Sequence, residues 1–270
     1  MSTFKATKGV DTHAHIFSAA APAVPGARYR PAYAAERDAW RSQWPALGIT
    51  HGVVVQPSFY GADNREMLDT IASDAKHLRG VAVVVPQAVD EKTLARFHRG
   101  GVRAIRLNLR GVRDYLPYAS QPWRALYTRI HELGWHVECF IDTGRLPELV
   151  EFFDGSPVTV VFDHFGAPGR DRAVTERTFA AVRRLGAERE VWCKFSAPYR
   201  LEGDHARDHA KRWLDAVGPE RIVWGSDWPG TGFEGQRTYR ETFECLGEWV
   251  AADLAPRVLW DNAARLYGFE

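Results

Sequence analysis

Gly52-Val53-Val54-Val55-Gln56, then Asn64-Arg65-Glu66-Met67-Leu68-Asp69-Thr70-Ile71-Ala72, then Val81-Ala82-Val83-Val84-Val85: these three pieces read as strand, amphipathic helix, strand. The outer two are short β-branched runs, and the middle one places Met67, Leu68, Ile71 and Ala72 at helical spacing. Two strands joined through a helix pair in parallel. The same rhythm runs along the chain. Strand runs are expected at 9–13, 52–56, 81–85, 103–107, 135–140, 158–163, 191–195 and 222–227, which makes eight. Between the fourth and fifth, Pro122 to Ile130 reads as a helix opened by proline and closed at Leu133-Gly134. The stretch 258–267 reads as a last amphipathic helix packed on the strands. Eight strand–helix units in about 250 residues is the arithmetic of a (β/α)8 TIM barrel, here a single α/β domain over 1–270. An open doubly wound sheet would carry a glycine fingerprint after its first strand. His13-Ala14-His15 stands there instead. No linker, low-complexity tract or internal repeat interrupts the pattern. Residues 17–34, rich in Ala and Pro, are expected to loop over the barrel mouth, and 228–235 reads as a second, glycine-rich and flexible loop.

Composition narrows the function classes. Lys plus Arg number 35 and Asp plus Glu 34 in 270 residues, a net charge of +1, so a nucleic-acid partner is not expected. No apolar run approaches the ~20 residues that span a bilayer. Met1 to Lys8 holds no apolar core, so no signal peptide is expected. The 3 cysteines, Cys139, Cys193 and Cys245, are far apart and form no CxxC, which suits a reducing, cytoplasmic setting rather than a disulfide scaffold. The sequence leaves room for a homo-oligomer.

In a TIM barrel the chemistry sits where the strands end. Those ends bring His13 and His15, Arg106 and Asn108, Glu138, Asp163 with His164, and Asp227. Strands alternate faces, so His13 and His15 point one way, as do Arg106 and Asn108. On the fifth strand Val137, Cys139 and Ile141 face the helices and His136, Glu138 and Phe140 face inward. Asp227 shares a face with Val223 and Gly225. Two imidazoles and a carboxylate can hold a Zn²⁺ ion or bind a substrate carbonyl. Singly, each has a plainer reading: a polar loop histidine pair, His164 packed under Phe165, Asp227 capping a helix. Glu138 reads equally as an ion-pair partner of Lys194 inside the barrel. The cysteines have no neighbouring base to make them nucleophiles.

Asp11-Thr12-His13-Ala14-His15-Ile16-Phe17, Val161-Phe162-Asp163-His164-Phe165-Gly166 and Trp224-Gly225-Ser226-Asp227-Trp228-Pro229 resemble the D-x-H-x-H-x-F, DH-x-G and WG-[ST]-DWP segments of the amidohydrolase-superfamily lactonases. Ala104-Ile105-Arg106-Leu107-Asn108 is similar to the GIR-x-N strand of their 2-pyrone-4,6-dicarboxylate lactonase branch. The four matches keep order over nearly the full chain. The resemblance implies hydrolysis of an anionic lactone, from aromatic degradation or a sugar acid, by water that Asp227 deprotonates, with His13, His15, His164 and Arg106 polarising the carbonyl. It implies substrate contacts from Arg106, Asn108, Arg110, Arg200 and the loop residue Tyr29, with Arg113 a further candidate. It allows either no cofactor or one divalent metal on His13, His15 and Asp227, with Glu138 as an added ligand. The cationic Arg106 disfavours a second metal. Two departures bear on the substrate. Ala167 stands where the branch has an arginine, and Phe140 where it has a tyrosine, so partners for a carboxylate are lost there. Alternative activities are a metal-dependent aromatic decarboxylase, a lactone isomerase, or a barrel that only binds a sugar acid.

Overall fold

The computed structural model describes residues 7–19, 23–153, 155–201 and 205–270. Residues 1–6 of the opening stretch and 20–22 of the 17–34 loop lie outside the described residues. Eight parallel strands follow one another in chain order around one sheet: β1 (Val10–Ala14), β2 (His51–Val55), β3 (Leu78–Ala82), β4 (Val102–Asn108), β5 (His136–Phe140), β6 (Val160–Phe162), β7 (Val191–Phe195) and β8 (Ile222–Trp224). The ring closes between its first and last members. Ala14 bridges Trp228 in parallel, the Asp227 N–H donates to the His13 carbonyl at 2.8 Å, and the Thr12 hydroxyl donates to the Trp224 carbonyl at 2.7 Å. This is the (β/α)8 barrel the strand count requires.

Helices α1 (Arg37–Arg41), α2 (Arg65–Ala72), α3 (Glu91–Arg99), α4 (Gln121–Glu132), α5 (Arg172–Gly186), α6 (Ala206–Val217), α7 (Tyr239–Glu244), α8 (Leu246–Trp249) and α9 (Asn262–Tyr267) surround it. Their starts follow local chemistry. The Asp90 and Asp171 carboxylates accept from backbone N–H groups of Thr93 and Val174, and Thr238 with Glu241 forms a reciprocal capping box. Two segments depart from expectation. Between β5 and β6 the connection 146–153 is 3₁₀ helix rather than α, and the closing segment begins as a π turn at Arg257–Asp261 before α9.

The core has two parts, as a barrel demands. Val10, Val53, Val55, Val81, Ala104, Val161, Trp192 and Val223 fill the ring, with Ala263, Tyr267 and Phe269 beneath them. The opposite strand faces, including Val137, Cys139, Ile141, Val191, Cys193 and Phe195, pack on the helices. The fifth and seventh strands therefore alternate as their sequences say.

Strand bounds shift where side chains intervene. β3 begins at Leu78, three residues before the valine run, and ends at Ala82. The N–H of Val83 is taken by Asn64 Oδ1 at 3.0 Å and its carbonyl by Asn64 Nδ2 at 2.8 Å, so the chain leaves the sheet there. Gly80 opens the space this register needs: a Cβ would stand 2.4 Å from Ile71 Cδ1. β6 and β8 are shorter than expected because the backbone turns at once into the site.

Candidate active site

His13, His15, His164 and Asp227 are aimed by local irregularities. In β1 the register slips between Asp11 and Ala14, an extra residue against β2. Val10 thus faces the barrel interior and Asp11 the outside, and the bulge returns His13 and His15 to the interior. Asp11 becomes an anchor. Its carboxylate accepts from Trp40 Nε1 (2.8 Å), the Ser226 N–H (2.8 Å), the Ser226 hydroxyl (2.6 Å), the Tyr239 hydroxyl (3.1 Å) and the His13 N–H (3.2 Å). It therefore ties β1 to the segment after β8. His164 and Asp227 both sit at positive φ, 52° and 56°, a region costly for residues with a side chain and tolerated best by Asn, Asp and His. Gly225 makes room for His13: a Cβ there would lie 2.6 Å from the His13 Cβ.

Three imidazoles converge on one carboxylate oxygen. Asp227 Oδ1 lies 3.8 Å from His13 Nε2, 3.7 Å from His15 Nε2 and 3.8 Å from His164 Nε2. These are gaps for a small bridging group, not hydrogen bonds. Among the described residues, both Asp227 Oδ1 and His13 Nε2 are buried without a hydrogen-bond partner. Asp227 Oδ2 is held instead, by the Tyr199 hydroxyl at 2.8 Å and Arg200 Nε at 2.7 Å. His15 Nδ1 meets the Val55 carbonyl at 2.8 Å. A carbonyl only accepts, so Nδ1 carries the proton and Nε2 shows the site a lone pair. His164 Nδ1 meets Ser196 Oγ at 2.8 Å. Burial, and the nearby His13, hold both His15 and His164 well below the ordinary histidine pKa, so they stay neutral.

His13, His15 and Asp227 bring ligand atoms within 4.8 Å of one another, as do His13, Asp163 and His164. The first group fits one divalent ion in ligand type: Asp227 Oδ1 and His15 Nε2 are free acceptors. Glu138 is not part of either group. It lies deeper, its Oε2 2.5 Å from Lys194 Nζ and its Oε1 accepting from the Tyr267 hydroxyl at 2.6 Å, so of its two readings the ion pair is the one formed. Above that pair, Asp163 receives Arg106 through Nε (3.2 Å) and Nη2 (3.1 Å), with Lys194 Nζ at 3.4 Å. Burial alone would raise the Asp163 pKa, but the charges of Lys194, His13 and Arg106 hold it well below the usual carboxylate range.

A cavity of about 170 Å³ opens over this cluster. Its wall includes His15, His164, Asp227, Arg106, Arg200, Phe140 and Tyr29, together with Arg28 and Arg110. Arg106 and Arg200 are already paired with Asp163 and Asp227. Among the described residues, Arg28 and Arg110 have no ion-pair or hydrogen-bond partner, and burial with the Arg110 charge lowers the Arg28 pKa. Tyr29 and Tyr33 both donate to Glu234 Oε1, at 2.5 and 2.8 Å, joining the 23–34 loop to the 228–235 loop across the mouth. The second loop, expected to be flexible, is thus tied. Asn108 is half-buried on β4 with an unpartnered Oδ1 and does not line the cavity; Arg113 is exposed. A larger open groove of about 690 Å³, beside Arg37, Arg65 and Glu66, gathers no imidazoles. Sequence reading did not single out Arg28, Tyr199 or the central place of Asp163. Arg28 lies on a loop and Tyr199 in the single 3₁₀ turn Pro198–Arg200, neither with a periodicity to mark it, and the partners of Asp163 are distant in the chain.

Residues 10–269 match the amidohydrolase family. The chain is 33% identical over 284 residues to a 2-pyrone-4,6-dicarboxylate hydrolase of Comamonas testosteroni, covering 98% of this chain and 92% of that protein. It is 27% identical to a 4-sulfomuconolactone hydrolase of Rhizobium radiobacter, with the same coverages of 98% and 92%. A crystal structure from Pseudomonas putida, provisionally named as a 2-pyrone-4,6-dicarboxylic acid hydrolase, superposes with a TM-score of 0.87 at 37% identity, covering 97% of this chain and 98% of that one.

Proposed function

The chain belongs to the amidohydrolase family, and on that premise we propose that it is a lactonase that opens an anionic lactone by attack of water on the ring ester carbonyl. The observation that carries this reading is Asp227 Oδ1, buried, without a hydrogen-bond partner among the described residues and ringed by three imidazole nitrogens at 3.7–3.8 Å. A water seated there gives one proton to Asp227 as its oxygen bonds to the carbonyl carbon, while His15 Nε2 accepts its other O–H. Tyr199 and Arg200 fix the carboxylate through Oδ2, leaving Oδ1 as the base. The carbonyl oxygen becomes an oxyanion, and donors already in place, Arg106 among them, stabilise it by several kcal/mol. Collapse breaks the ring C–O bond, and the proton held by Asp227 passes to the departing ring oxygen. A divalent ion on His13, His15 and Asp227 would supply Lewis-acid polarisation of the same carbonyl.

The unpaired Arg28 and Arg110 in the cavity wall support a substrate bearing a carboxylate, and the named relatives act on lactones of that class. Among the described residues no helix is long and apolar enough to cross a membrane. The buried thiols of Cys139 and Cys193 suit a reducing cytoplasm. The test is a screen of aromatic-derived and sugar-derived lactones, with acid release followed by a pH indicator, run with and without chelator. Asp227→Asn should lose about 10²–10⁴-fold in kcat while still binding substrate. Unchanged turnover would remove the mechanism; activity abolished by chelation would favour metal-dependent chemistry, the decarboxylase included.

A further inference from the structure

The two loops over the mouth meet at one atom. Glu234 Oε1 accepts from the Tyr29 hydroxyl (2.5 Å), the Tyr33 hydroxyl (2.8 Å) and the Gly232 N–H (2.8 Å). One side of this clasp is anchored in the barrel wall. Tyr33 packs on Phe17 with 5.5 Å between ring centroids, and both tyrosines rest on the buried cluster of Phe17, Ala35, Phe59 and Tyr60. The other side leads to the base. The Gly230 N–H donates to the Asp227 carbonyl at 2.6 Å and the Phe233 N–H to the Gly230 carbonyl at 2.7 Å, which folds 227–233 into successive tight turns. These turns touch the 3₁₀ turn Pro198–Arg200 at two places. The Thr231 carbonyl accepts from Arg200 Nη2 at 2.9 Å, and the Phe233 ring lies 4.8 Å from the Arg200 guanidinium and 5.3 Å from the Tyr199 ring. A guanidinium is planar and rigid, so fixing Nη2 on the loop also fixes the direction of Nε. That Nε and the Tyr199 hydroxyl are the donors to Asp227 Oδ2.

From this unbroken run of contacts we infer that Glu234 is a positioning residue: by clasping the two mouth loops it holds Tyr199 and Arg200 against Asp227 Oδ2, so that closing the mouth and aiming the base are one event. A ligand in the cavity lies beneath the clasp, since Arg28 and Tyr29 line it from one loop and Thr231, Gly232 and Phe233 from the other. With the loops apart, substrate enters, but Arg200 loses Thr231 and Tyr199 loses Phe233, and the Asp227 carboxylate is free to turn. With the loops joined, solvent is shut out and Oδ1 is left facing the three imidazoles.

What Asp227 does to its water rests on the hydrolytic reading; the coupling between loop and base does not, and it is read without substrate. In Glu234→Ala, hydrogen exchange of the unliganded protein should quicken in 228–235 and also at Arg200 and Leu201, whose N–H groups donate to the Ala197 and Pro198 carbonyls. Glu234→Gln keeps an acceptor oxygen and drops the charge, so it should exchange like the unaltered protein. With a lactone that the unaltered protein opens, Glu234→Ala should lower kcat about 10–100-fold with KM little changed, as expected when reacting groups are slightly misplaced. Glu234→Gln should restore most of that loss. Tyr33 does not line the cavity, so Tyr33→Phe should slow the unaltered protein but leave Glu234→Ala no slower. Exchange that is unchanged at Arg200 and Leu201 in Glu234→Ala overturns the inference, and so does an unchanged kcat. An equal loss in Glu234→Gln and Glu234→Ala overturns it too, leaving Glu234 acting through its charge. If the unaltered protein opens no lactone, the hydrolytic reading fails and the exchange result still decides the coupling.

Discussion

At the scale of single residues, the site divides its arginines by whether the protein has already neutralised them. Arg106 and Arg200 are bound to Asp163 and Asp227, and their removal would strand a buried carboxylate. Among the described residues, Arg28 and Arg110 face the cavity with no ion-pair or hydrogen-bond partner. Arg28→Gln should therefore raise KM for a carboxylate-bearing lactone about 10–100-fold, as expected for a charged hydrogen bond, with kcat little changed. An uncharged lactone should show no such penalty, and initial-rate kinetics on the two substrates decide it. The sequence made the strand-end residues legible because alternation tells which side chains share a face: His13 with His15, and Glu138 on the interior side of β5. It did not reveal Arg28, since a loop arginine has no period to betray it. Nor did it reveal that Asp163 sits between Arg106 and Lys194, a meeting that depends on three strands closing into one ring.

At the scale of elements, the decisive irregularity is the extra residue in β1. Strict alternation would have turned Asp11 into the barrel along with His13 and His15. The bulge turns it out instead, where it collects donors from α1, α7 and the segment after β8. Burial raises the Asp11 pKa in spite of the Ser226 and Trp40 hydrogen bonds. Asp11→Asn places an amide N–H₂ against groups that are themselves donors. It should cost about 2–4 kcal/mol of stability, seen as a lower urea midpoint with unchanged slope. No glycine marks this bulge, so Asp11-Thr12-His13 gave no sign of it. The displacement of β3 was hidden for a related reason. A valine run looks like a strand wherever it falls, and only the Asn64 side chain, reaching 19 residues along the chain, says where pairing stops. The (β/α)8 order itself was readable because it needs only a count of short runs and their spacing.

At the scale of the whole molecule, two histidines remote from the site contribute to the response to acid. Burial, with His77, Lys8 and Arg79 nearby, pushes the His51 pKa down to about 4; burial, with His205 and Arg212 nearby, does the same to His209, also about 4. Both are neutral in the fold and take up protons on unfolding below their ordinary value of 6.5. Their contribution is intact above pH 6.5 and is lost as pH falls from there to about 4. Thermal melts across that window should show Tm falling with pH, and His51→Phe, set among Trp260 and Phe269, should flatten the slope. The barrel also has a floor as well as a mouth. Tyr267, on α9, reaches Glu138, which reaches Lys194, which reaches His13. That stopper comes after all eight strands in the order of synthesis. A nascent chain whose ring has already closed therefore still has an uncorked base open to water, and the Glu138–Lys194 pair is sealed from below only when the helix made last drops into place.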